Sequence, residues 1–128
     1  MALRDLLQVF VVDDMSTSRG LIIQGLEAIG IANVRYSADA ATALKDLAIR
    51  PAHLVISDFN MPGMDGLQFL QALRQHPKLQ AIGFILITGK AERQTIEAGQ
   101  RLGMNNLIRK PFTNADLQKA IEAVVGRL

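Results

Sequence analysis

Two adjacent acids, Asp13 and Asp14, and a third, Asp58, in a Gly- and Pro-rich loop that also carries Asp65, are the residues of this 128-residue chain best suited to chemistry. Carboxylates held close repel one another, so at neutral pH one binds a proton or a divalent cation joins them. The chain has no cysteine and only two isolated histidines, His53 and His76. Disulfides, thiolate zinc sites and cysteine nucleophiles are excluded, and a histidine metal cluster is a poor reading. Any metal here is held by oxygen. Oxygen-only ligands point to Mg2+, which keeps several waters and leaves positions open to a phosphate donor. With charge screened in this way, a carboxylate can act as a nucleophile on phosphorus. Lys110 and Thr88 are of the types that hold the equatorial oxygens of a transferring phosphoryl group.

These residues meet only if the chain builds repeated strand-helix units. Short apolar runs alternate with longer amphipathic stretches, which argues for a parallel sheet. The pattern predicts strands from Gln8 to Val12, Asn33 to Ser37, Leu54 to Ser57, Phe84 to Ile87 and Leu107 to Arg109. Runs such as VFVV and FILI read as strands buried on both faces. Helices are predicted from Ser16 to Ile29, Ala40 to Ile49, Leu67 to Gln75, Glu92 to Leu102 and Ala115 to Gly126, with Asn114 as the N-cap of the last. In that last helix Leu117, Ala120, Ile121, Val124, Val125 and Leu128 share one face that should pack on the sheet. The fourth has little apolar stripe and carries Gly99, so it is the weakest and a candidate mobile element. Right-handed crossovers fold five such units into a three-layer α/β sandwich, a doubly wound (βα)5 sheet whose ligands bind outside the carboxyl ends of the strands. Asp13 and Asp14 follow the first strand, Asp58 ends the third, Thr88 the fourth and Lys110 the fifth, all on that one edge. Each alone reads as an ordinary cap or loop residue; together they form a reactive constellation.

The segments VVDD at 11–14, SDFNMPGMDG at 57–66, ILITGK at 85–90 and RKPF at 109–112, in this order and spacing over nearly the full chain, resemble the receiver domain of two-component response regulators. Within that family they resemble the stand-alone chemotaxis type, CheY. The resemblance implies strand order 2-1-3-4-5 and makes Asp58 the acceptor of a phosphoryl group from a histidine kinase. It makes Asp14 and Asp58 direct Mg2+ ligands together with the backbone carbonyl of Asn60, with Asp13 supporting the site through water. Lys110 would contact the phosphoryl group after a cis bond to Pro111, Thr88 would be the switch residue, and Asn60 and Lys90 occupy positions that tune phosphoryl lifetime. A surface made by the fourth helix, fifth strand and fifth helix would then change and meet a target such as a flagellar switch component. At the aromatic switch position of the chemotaxis proteins this chain carries Leu107, which has no hydroxyl and a different shape. The only tyrosine, Tyr36, lies on the second strand.

Apolar residues are 49% of the chain and charged ones 20%, enough for a folded core, and a single domain over residues 1–128 with no output domain is expected. No run is long enough to span a membrane, and MALRDLLQVFVVDD lacks the order of a signal peptide, so a cytoplasmic monomer is expected. A net charge of +2 with no basic run, 5% aromatics and no Trp argues against nucleic acid. A haloacid-dehalogenase-like phosphohydrolase would also combine Asp, Mg2+, Thr and Lys. It needs an acid two residues after the nucleophile, where this chain has Asn60. A flavodoxin-like electron carrier would need a hydroxyl-rich phosphate loop after the first strand, and none is present. Among signalling roles a messenger, a phosphate sink and a phosphorelay intermediate all fit. Met61 and Met64 read as packing under the loop, and Asp65 with Gly66 as turn chemistry.

Overall fold

The computed structural model describes residues 1–128, which form six helices and five strands. A short helix α1 (Leu3–Leu6) leads into β1 (Gln8–Val12), α2 (Ser16–Ala28), β2 (Asn33–Ser37), α3 (Ala40–Ile49), β3 (Leu54–Asp58) and α4 (Gly66–Gln75). The chain continues through β4 (Gly83–Thr88), α5 (Arg93–Arg101), β5 (Asn106–Arg109) and α6 (Asn114–Val125). All strand pairs are parallel, in the order β2-β1-β3-β4-β5. The expected architecture and strand order are therefore those observed.

The sheet is sealed on both faces because its apolar strands alternate side chains across it. Val9, Val11, Ile56, Ile85 and Ile87 meet Ile22 and Leu26 of α2 and Leu117 and Ile121 of α6 in one core. Phe10, Val12, Val55, Phe84 and Leu86 meet Ala43 and Leu47 of α3 and Phe69, Leu70 and Leu73 of α4 in the other. Met61 is buried in this second core and Met64 packs against it, as expected. On the predicted apolar face of α6, Leu117 and Ile121 are buried while Ala120, Val124 and Val125 pack partly buried beside them.

Several boundaries differ for local reasons. The strand ladder takes in Asp58, Gly83, Thr88 and Asn106, each paired across to a neighbour. Asn114 is the first residue of α6, not its cap: Thr113 Oγ1 accepts from the Asp116 backbone N–H at 3.0 Å, and the Asp116 carboxylate accepts from the Thr113 N–H at 3.0 Å. A cap at Asn114 would face Leu117 three residues on, which has nothing to return. Asp65 is likewise a cap, sharing such a reciprocal pair with Gln68 at the start of α4. Helix α1 was not foreseen, since four residues carry no readable period; Asp5 accepts from the Ala2 N–H there. Helix α5 buries only Gly99, in line with its missing apolar stripe.

Candidate functional site

Register brings the acids level. Val12 pairs with Ser57, so Asp13 and Asp58 stand one position further on, side by side, Asp13 just after β1 and Asp58 at the end of β3. Asp58 pairs with Ile87 and Thr88 with Arg109, which puts Thr88 and Lys110 one step beyond on β4 and after β5. With Asp14 beside Asp13, five chemistry-bearing residues thus reach one sheet edge through the register of the strands they end or follow.

Carboxylate oxygens of Asp13, Asp14 and Asp58 lie within 4.8 Å of one another. Asp13 is fully buried. Its Oδ1 accepts from the Met15 N–H at 3.0 Å, and its Oδ2 is buried without a hydrogen-bond partner. A buried carboxylate oxygen without a partner is costly, and a cation or its bound water is the group that would satisfy it. Asp14 is exposed and Asp58 nearly buried, so the cluster opens to solvent on one side. This donor set, all oxygen and partly open, fits a hard divalent cation.

Asp58 Oδ1 accepts from Lys110 Nζ at 2.6 Å. Burial pushes the Asp58 carboxyl above its ordinary pKa; Lys110 opposes this through hydrogen bond and charge, while Asp13 and Asp14 add to the upward push. The peptide bond from Lys110 to Pro111 is cis, and the Lys110 N–H donates to the Thr88 carbonyl at 2.9 Å. Beneath Asp58 the chain is tight: a Cβ on Gly66 would lie 2.6 Å from the Asp58 carbonyl oxygen. Gly66 is therefore a close-approach residue at the first position of α4, not a turn residue. The Phe59 N–H donates to the Ile87 carbonyl and the Gly66 N–H to the Phe59 carbonyl, which ties the loop after Asp58 to β4.

Thr88 is buried, but its hydroxyl faces its own loop. It donates to the Lys90 carbonyl at 3.2 Å and accepts from the Lys90 N–H at 3.1 Å. Asn60 and Lys90 are exposed at the rim, and Leu107 is half-buried on the edge strand β5 against the second core. Tyr36 is exposed on β2 with the Arg19 guanidinium over its ring.

Two contacts escaped the sequence reading. Lys110 Nζ also donates to Ser18 Oγ at 3.2 Å, and Arg19 donates to the Asp13 carbonyl at 2.8 Å. Both residues stand in the first turn of α2, where nothing in local spacing marks them. Beside them a groove of about 820 Å³ runs between α2 and the Lys110–Asn114 segment, with Met15, Leu21 and Phe112 in its wall.

No helix is long and apolar enough to cross a membrane. Over its full length the chain is 41% identical to a probable chemotaxis protein CheY of Rhizobium etli, covering 99% of that protein. It superposes on the crystallised chemotaxis protein CheY4 of Vibrio cholerae with a TM-score of 0.86 at 27% identity, covering 92% of this chain and 98% of that one. It also shares its fold with the receiver domain of a Pseudomonas aeruginosa sensor histidine kinase, solved with a magnesium ion in the active site cleft. That match has a TM-score of 0.84 at 23% identity and covers 94% of this chain and 98% of that one. Residues 9–122 match the model of the response regulator receiver domain. With the acidic cluster, the opposed lysine and the strand order on one frame, the chain belongs to the response regulator receiver domain family.

Proposed function

We propose that Asp58 accepts a phosphoryl group from a histidine kinase and that the change is read out at a protein-binding face. The observation that carries this reading is Asp58 Oδ1 held 2.6 Å from the Lys110 ammonium inside a cluster of three carboxylates. An Asp58 oxygen attacks phosphorus, a P–O bond forms, the P–N bond to the donor imidazole breaks, and the imidazole leaves with the bond's electron pair. Asp14, Asp58 and the backbone carbonyl of Asn60 are the residues to hold Mg2+, with Asp13 acting through water. When bound, Mg2+ offsets the carboxylate charge and that of the phosphoryl oxygens. Lys110 loses its carboxylate partner when Asp58 becomes an acyl phosphate and takes up a phosphoryl oxygen.

The switch starts at Thr88. Its hydroxyl is occupied by the Lys90 backbone, and exchanging that partner for a phosphoryl oxygen draws the Thr88–Lys90 loop toward Asp58. The loop leads into α5, which is the least buried of the long helices and lies with β5 and α6 on the face that responds. The chemotaxis relatives support a cytoplasmic messenger that meets a target such as a flagellar switch component. Leu107 favours a second reading, a phosphate sink or phosphorelay intermediate, because the aromatic coupling of the chemotaxis proteins is missing at that position.

Beryllofluoride, a phosphoryl mimic, tests the switch in an NMR titration with Mg2+. The expected result is saturable change at Asp58, Thr88 and Lys90 that spreads to α5 and β5 and vanishes when Mg2+ is chelated. Change confined to the acids, or independent of Mg2+, contradicts it. A target captured only by the beryllofluoride-loaded protein separates a messenger from a sink.

A further inference from the structure

Lys110 reaches the site from the end of β5 on a long, flexible side chain that is 31% exposed, so open solvent competes for its ammonium. Three contacts triangulate it. Its backbone N–H is fixed to the Thr88 carbonyl, its Nζ donates to Asp58 Oδ1 at 2.6 Å, and the same Nζ donates to Ser18 Oγ at 3.2 Å. The Ser18 contact joins residues 92 positions apart and comes from the first turn of α2, where Ser18 is half-buried. Its oxygen accepts from the lysine.

The structure assigns Ser18 as a positioning residue for the Lys110 ammonium in phosphoryl transfer. The assignment rests on the reading of Asp58 as phosphoacceptor and adds what holds the lysine when that acid changes. Before transfer, Lys110 has two partners. When Asp58 becomes an acyl phosphate the negative charge moves from its carboxylate to the phosphoryl oxygens, while Ser18 Oγ remains an acceptor in both states. Ser18 therefore keeps the ammonium beside the phosphoryl oxygens and spares it the cost of being ordered anew from solvent at each turnover. The Ser18 hydroxyl hydrogen-bonds Lys110 and none of the three acids, so its effect is separable from metal binding. It also borders the groove between α2 and the Lys110–Asn114 segment.

The test compares wild type, Ser18→Ala and Ser18→Thr for rate of phosphorylation by a small acyl phosphate, Mg2+ affinity, and the side-chain Nζ signal of Lys110 in metal-free protein. Ser18→Ala is expected to slow phosphorylation about five-fold, the value of one hydrogen bond to a charged group partly open to water. It is also expected to shift the Lys110 signal toward that of a solvated lysine and to leave Mg2+ affinity at the wild-type value. Ser18→Thr, which keeps the hydroxyl, restores rate and signal. Wild-type rate and an unshifted Lys110 signal in Ser18→Ala overturn the assignment, as does a slowing matched by an equal loss of Mg2+ affinity, which marks a general disturbance of the site. A wild-type protein that takes no phosphoryl group contradicts the receiver chemistry instead, and the Lys110 signal then still decides whether Ser18 holds the ammonium.

Discussion

Asp58 carries two opposed demands: it must be charged to act as a nucleophile, yet it is nearly buried between two other acids. Its pKa is raised in the folded protein. The cost of its charge is therefore absent below the ordinary carboxylate range, grows as pH climbs from that range to the raised value, and is felt in full above the raised value. Replacing it by Asn removes that charge and leaves an amide oxygen for Lys110. In the presence of a chelator at neutral pH, Asp58→Asn should melt roughly 4 °C above wild type, about 1 kcal/mol in a domain of this size. Added Mg2+ should narrow the gap by stabilising wild type alone; thermal unfolding that finds the variant no more stable contradicts the account of a strained acidic cluster. At this scale the acids, Thr88 and Lys110 were legible in the sequence because residue type and position after an apolar run are local information. Ser18 and Arg19 were not, since their contacts depend on how the first turn of α2 is rotated over the sheet edge.

Among the elements, strands were read most reliably because their apolar runs are both signal and cause: a segment buried on both faces has little else to be. Caps were read less well. Thr113 and Asp65 share reciprocal hydrogen bonds with residues three further on, and the choice between Thr113 and Asn114 turns on which has a side chain to answer it. Arg74 had no signal at all. Its guanidinium donates to the carbonyls of Gln80, Ile82 and Gly103 and to Asn105 Oδ1, at 2.7–3.1 Å. The same Asn105 oxygen accepts from the Phe84 N–H at 2.8 Å. This one side chain joins the loops that enter β4 and β5 at the amino ends of the strands, opposite the site. Arg74→Met should lose about 2 kcal/mol in urea unfolding, since several carbonyls are left without their donor, with Mg2+ affinity unchanged. A loss within experimental error contradicts that role.

For the molecule as a whole, function follows from a division of labour between the two cores and the sheet edge they leave open. The cores lock β1, β3 and β4 from both faces, so the ends of those strands are fixed relative to one another and can hold repelling charges together. The α5 side is held loosely, with only Gly99 buried in that helix, which is where a small change at Thr88 meets least resistance. A rigid acid cluster beside a yielding face is the physical basis of a switch. Its central claim is that Asp58 takes the phosphoryl group and needs a divalent cation to do so. Intact mass after incubation with a small phosphodonor, with Mg2+ or with chelator, tests this directly when wild type is compared with Asp58→Asn. The account predicts the gain of one phosphoryl group in wild type with Mg2+ and none in the chelated sample or the variant; an equal gain in Asp58→Asn, or one that survives chelation, contradicts it.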